Sequence, residues 1–145
     1  MKKNRNIAIL IFVIYILALF YYLFFAGSMG RTCRGEDFRY NIKPFFEITR
    51  IWRNREALGM RYVIINLLGN ILAFAPFGYL LPKIVTRKLG VFYTVLFTLE
   101  FSVFVELIQL VTRTGSFDVD DLILNTIGGL VGNILYYRRL ISGKK

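Results

Sequence analysis

Residues 113–133 read RTGSFDVDDLILNTIGGLVGN, an arginine and three aspartates running straight into an apolar, glycine-punctuated segment. Asp120 and Asp121 stand where a helix would enter a bilayer, so either the segment is not a span or the acids have a purpose there. The rest of the chain favours the second. Residues 7–26 and 62–81 carry no charge, and residues 91–112 carry only Glu100 and Glu106. Each reaches the roughly 20 residues that a hydrocarbon core of about 30 Å requires. The chain is 56% hydrophobic and 17% aromatic, well above a globular mix. The sequence therefore predicts an all-α membrane protein, a single membrane domain over residues 1–145 with four transmembrane helices near 7–26, 62–81, 91–112 and 121–137. Lys2, Lys3 and Arg5 followed by the small Ala26 and Ser28 would also suit a cleaved signal. The apolar core of that segment exceeds the roughly 7–15 residues of a signal peptide, which favours a retained span.

Net charge is +10, and its placement sets the topology. Lys2, Lys3 and Arg5, then Lys83, Arg87 and Lys88, then Arg138, Arg139, Lys144 and Lys145 lie in three segments that contain no acid. Threading four spans puts all three on one side, which the positive-inside rule makes cytoplasmic, with both termini there and residues 27–61 and 113–120 outside. The 27–61 loop holds eight Lys or Arg against four acids and does not add to the signal. The basic balance does not point to nucleic acid, because no soluble domain carries it and membrane anchoring accounts for the same charges. The chain is read as a multi-pass membrane protein. Cys33 is the lone cysteine and histidine is absent, which removes internal disulfides, Cys/His metal sites and Cys–His nucleophiles.

Within residues 27–61, Asn41 and Pro44 break local structure before an aromatic run, Phe45, Phe46, Ile48, Ile51 and Trp52, mixed with Arg50, Arg53 and Arg55. Such a segment either lies in the interface with its cations toward phosphates or packs on its own bundle. In the second span Pro76 removes a backbone donor and predicts a kink, Pro82 falls just past the end, and Gly69 and Gly78 would let another helix approach.

Three spans carry polar stripes. Ser102, Glu106, Gln109 and Arg113 recur at i, i+4, i+7 and i+11; Asn66 and Asn70 are four apart, continued by Ala73 and Phe77; Asp121, Asn125, Gly128 and Gly132 do the same. At about 1.5 Å of rise per residue, Asn66 and Asn70 lie roughly 7 and 13 Å from the outer end, Glu106 about 9 Å and Asn125 about 6 Å, so the stripes can meet. A lipid-facing Glu106 would cost about 2.5–3.5 kcal/mol at mid-membrane, which directs it toward protein or water. Glu100 lies on another face and receives no role. Asp118, Asp120 and Asp121 then sit at the mouth of a polar cleft, where an acid in the first turn also meets the positive helix end. The candidate ligand-binding set is Asn66, Asn70, Glu106, Gln109, Arg113, Asp118, Asp120, Asp121 and Asn125. Glu106 and Asp121 are candidate general bases. No cofactor or metal is called for, although Asp118, Asp120 and Asp121 leave room for a divalent cation.

These residues fall in motifs, "NIKPF" (41–45), "NLLGNILAFAPFGYLLP" (66–82) and "SVFVELIQLVTRTGSFDVDDLILNTIGGLVG" (102–132), that resemble the VanZ-like family of small bacterial membrane proteins over roughly residues 40–135. The resemblance implies a cell-envelope protein and a link to resistance against the glycopeptide teicoplanin, with no reaction implied. The extra C-terminal spans of some relatives are not matched. Three functions are open. In the first, Arg113, helped by Arg31 or Arg50, holds the phosphate of an envelope lipid or lipid-linked glycan while the amides meet headgroup oxygens. The second is an intramembrane transferase or hydrolase using Glu106 or Asp121 as base. The third is a scaffold whose polar cluster only specifies packing. The sequence does not fix the oligomeric state.

Overall fold

The computed structural model describes residues 2–24, 39–85 and 89–142, with side chains from residue 5 onward. Arg31, Cys33, Ala26, Ser28, Arg87, Lys88, Lys144 and Lys145, which entered the expectations above, lie outside the described residues. Four long helices dominate: α1 (Lys2–Phe24), α4 (Met60–Ile84), α5 (Val91–Thr112) and α6 (Val119–Ser142). Two short helices, α2 (Phe46–Arg53) and α3 (Arg55–Leu58), and two two-residue strands, β1 (Tyr40–Asn41) and β2 (Phe117–Asp118), complete the described residues.

Arg5–Phe24, Met60–Ile84 and Val91–Thr112 are long and apolar enough to cross a membrane. The helix α6 has 24 residues, about 36 Å at the usual rise. Its acids and amides keep it outside that apolar set. The helix at the second expected span also runs further than the sequence suggests, since α4 continues through Pro76 and Pro82 to Ile84. Beside that stretch the Tyr15 hydroxyl of α1 donates to the Ala73 carbonyl at 2.7 Å, the kind of neighbouring polar group that makes a proline tolerable inside a membrane helix.

The helix α6 packs between α4 and α5. Cβ atoms added at Gly128 and Gly132 would meet the backbone of Ile71 and Ala75, and one at Gly78 would meet the backbone of Gly129. On the other side, Asn125 bonds Ser102, Gly129 abuts Thr98 and Asn133 bonds Thr94. Positions therefore advance together along α4 and α6 and in opposition along α5 and α6, so α4 and α6 are parallel to each other and antiparallel to α5. Gly69, expected to admit a helix, has open space around it; the close approach belongs to Gly78. Aromatic contacts join α1, α4 and α5, with Phe77 stacked on Phe101 at 4.9 Å and Phe12 tilted on Phe77 at 5.5 Å. Leu17, Leu72, Phe92 and Val111 point outward, as apolar groups do when the surrounding medium is lipid. Glu100 is also exposed.

Candidate functional site

The acid turn is shaped by the end of α5. Arg113 takes a left-handed conformation (φ 56°) that closes the helix, and its N–H returns to the Leu110 carbonyl at 3.2 Å. This reversal removes Arg113 from the helical stripe that the spacing suggests and leaves it exposed past the helix end. The chain then enters β2, which pairs in parallel with β1 in the register Tyr40 to Phe117 and Asn41 to Asp118. The Phe117 N–H donates to the Arg39 carbonyl at 3.1 Å.

Around this ladder the buried acids bond to specific donors. Glu106 is 3% exposed, and its Oε2 accepts the Asp118 N–H at 3.2 Å. Asp118 Oδ1 accepts Asn41 Nδ2 at 3.1 Å and the Asp120 N–H at 2.8 Å. Asp120 is 1% exposed; its carboxylate accepts the N–H groups of Phe45 and Ile48, the latter at 3.0 Å. An acid at the head of α6 thus caps a different helix. Phe45, at the N-cap of α2, has φ 62° and no side-chain cap of its own, so the Asp120 carboxylate meets donors that would otherwise be orphaned. Asn41 Oδ1 also accepts the Lys43 N–H at 3.1 Å, an Asx turn that starts the reversal into Pro44. Burial is the main cause pushing the Asp118 carboxyl above its ordinary value, and the neighbouring Asp120 and Glu47 push the same way against the pull of its two donors.

The other candidate residues separate into distinct groups. Asp121 accepts from Asn70 Nδ2 across to α4. Asn125 Nδ2 donates to Ser102 Oγ at 2.8 Å, and its Oδ1 is buried without a partner among the described residues. Gln109 Nε2 reaches the Leu23 carbonyl of α1 at 3.4 Å. Asn66 bonds back to the Tyr62 carbonyl of its own helix at 2.9 Å and shares no hydrogen bond with the acid turn. Glu106, Asp118 and Asp120 form one chain of hydrogen bonds, while Asn70 bonds Asp121 and Asn125 bonds Ser102. Asp118, Asp120 and Asp121 each turn to a different donor, and among the described residues no three His, Cys, Asp or Glu side chains group as metal ligands.

Several residues at the site were missed. The threonines Thr94 and Thr98 extend the Ser102–Glu106 line downward at the same four-residue step, and both are fully buried; following that spacing in both directions would have found them. Gly129 faces α5 between Gly128 and Gly132. Outside the latch that Glu106, Asp118 and Asp120 form on the start of α2, α2 has no buried residue and borders a cleft of about 560 Å³ lined by Lys43, Phe45, Phe46, Arg50 and Arg53 among others. Arg50 pairs with Glu47 at 2.6 Å, while among the described residues Lys43 and Arg53 form no ion pair.

A family model described as VanZ/LLP1 matches residues 12–141. The chain belongs to the VanZ/LLP1 family. It is 35% identical over 71 residues to Protein VanZ of Enterococcus faecium, a match covering 49% of this chain and 44% of that protein. The matched part is thus less than half of that relative's length. No solved structure matches. In this VanZ/LLP1 chain, the buried carboxylates use backbone and amide donors to fix an aromatic, basic segment against the head of α6, and that segment turns its cations outward.

Proposed function

We propose that this chain is a four-span VanZ-like protein of the bacterial cytoplasmic membrane, with both termini cytoplasmic, that binds an envelope lipid or lipid-linked glycan at its outward end and thereby contributes to glycopeptide resistance. The fourth span is supported by α6 following α5 from the Asn125–Ser102 pair to the bond between the Tyr137 hydroxyl and the Leu89 carbonyl. A helix that tracks a spanning neighbour over that length shares its depth. The orientation rests on the acid-free basic segments.

The observation that carries the binding reading is the α2 segment itself. A buried acid network of high energetic stake holds a helix that contributes nothing to the core and exposes Phe45, Phe46 and Trp52 beside Lys43, Arg50 and Arg53. Aromatic and cationic groups on one surface segment suit the headgroup layer, where rings take the interface and guanidinium groups meet phosphate. In this reading Glu106, Asp118 and Asp120 position the binding segment, and the phosphate contact moves from Arg113, helped by Arg31 or Arg50, to the cleft beside α2. The scaffold reading has its own support, since the acid acceptors are spent within the chain. Lipid mass spectrometry on gently purified protein separates the two. Lys43→Gln with Arg53→Gln should strip a phosphate-bearing lipid that wild type retains and should reduce any teicoplanin phenotype. If a folded double variant kept the same lipids and phenotype, the scaffold reading would replace the binding one.

A further inference from the structure

At the end of the bundle opposite the acid turn, two cations converge on one phenol. The Lys83 ammonium lies 3.9 Å from the centre of the Tyr79 ring, and Arg139 Nη1 donates to the Tyr79 hydroxyl at 3.1 Å. Lys83 ends α4 and Arg139 lies in the last turns of α6, so the convergence bridges two helices. Its floor is fixed: Tyr136 meets Tyr79 edge-on at 6.2 Å, and the Tyr137 hydroxyl donates to the Leu89 carbonyl at 2.7 Å. Both positive groups therefore contact the same phenol, Lys83 at its ring face and Arg139 at its hydroxyl.

Among the described residues no acid is at hand to balance them. Neither Lys83 nor Arg139 is in an ion pair among the described residues. The sequence places no Asp or Glu in residues 82–99 or 122–145. Glu100, the nearest acid along α5, is about 14 Å up the helix from Val91. The negative ends of α4 and α6 offset part of the charge, but a helix end supplies only about half a charge. The Tyr79 hydroxyl accepts from Arg139 and donates to no described residue, so its own proton is available, as are further N–H groups of Arg139 and Lys83. Donors from two helices, an aromatic floor and uncompensated positive charge fit one kind of occupant. We propose that Tyr79, Lys83 and Arg139 form a binding site for the phosphate of an anionic phospholipid headgroup, at the end of the bundle opposite the acid latch. Basic pockets between membrane helices take such headgroups, and the two cations would supply charge-assisted bonds to a single phosphate. The site shares no residue with the cleft beside α2.

The test titrates the full chain in neutral detergent with short-chain phosphatidylglycerol, short-chain phosphatidylcholine and inorganic phosphate, reading bound species by native mass spectrometry. Wild type should bind phosphatidylglycerol about thirtyfold more tightly than phosphatidylcholine, at about 1 kcal/mol for each of the two cations. Lys83→Gln with Arg139→Gln should abolish that preference, while Arg5→Gln with Arg138→Gln, which removes the same charge elsewhere, should keep it. Equal loss in both double variants would reduce the effect to bulk charge and overturn the site. Binding of inorganic phosphate as tight as phosphatidylglycerol would overturn the lipid as occupant. Lys83→Glu guards against misfolding, because it gives Arg139 an internal partner; it should fold and still lose the preference, and its retention would also overturn the proposal.

Discussion

Between Asn125 and Asn133, α6 meets its neighbours with glycine backbone and two buried amide contacts, whereas where the chain enters it the contacts are made by carboxylates. The inner stretch gains its contact from the absence of side chains, so that α4 and α6 come together backbone to backbone, as membrane helices do where small residues line the seam. The entry to α6 does the reverse and buries Asp118 at the end of β2 and Asp120 in the first turn. Charge is expensive to bury and stable only with full partners, and here most of the partners, Asn41 Nδ2 and the N–H groups of Phe45 and Ile48, come from another segment. Close packing sets the bundle, and the buried acids place what lies on top of it. A change in the seam should therefore damage the whole molecule, and a change in the latch should release one segment.

The largest expected effect is at the seam. A methyl at Gly132 would strike the Ala75 carbonyl and lie 2.8 Å from the Tyr79 nitrogen, atoms of backbone that cannot rotate aside. Gly132→Ala should destabilise the protein by about 3 kcal/mol or more, at the upper end of overpacking costs, seen as loss of monodisperse protein and of thermal stability in detergent. Gly69→Ala, on the same family of small positions but in open space, should change little. If both variants behaved alike, the backbone seam would not be what holds α4 to α6.

An intermediate effect is expected at the latch. Asp120→Asn keeps the shape of the side chain but replaces a charged acceptor of two backbone N–H groups with one neutral oxygen and an unwanted donor. About 1.5–3 kcal/mol of local stability should be lost, the range for hydrogen bonds to a charged group. The loss should show as faster hydrogen exchange or proteolysis confined to residues 40–58, with the melting of α4, α5 and α6 nearly unchanged. A uniform loss across all helices would merge the two regions that the comparison separates.

The same division explains what the sequence made legible. The three long apolar helices were readable because membrane burial demands long uncharged runs, and α5 falls on residues 91–112 as expected. The inward face of Glu106 followed from the cost of exposing an acid. The partner of Asp120 was not readable: it lies 75 residues away at Phe45, and an acid in a first turn is by default assigned to its own helix. Arg113 misled because a regular i+11 spacing was carried one residue past the helix end. The fate of Gln109 depended on where α1 packs, which no local pattern encodes.

The smallest effect is a pH dependence in the latch, and it tests which influence governs Asp118. Burial, with Asp120 and Glu47 nearby, raises its carboxyl above the ordinary 3.8, while Asn41 and the Asp120 N–H act the other way. A raised pKa in the docked state means that the docked state holds the proton more tightly than the released one. Docking must then strengthen as pH falls from neutral toward 3.8 and level off below it. Other acids titrate in the same range, so the useful quantity is the difference between wild type and Asp118→Asn, which keeps an acceptor for Asn41 and never carries charge. That difference, measured by exchange at the Phe117 and Ile48 amides after correction for intrinsic rates, should move in favour of wild type as pH is lowered. Movement toward the variant would mean that the two donors outweigh burial, so that Asp118, like Asp120, acts in the latch as a fully paired charge.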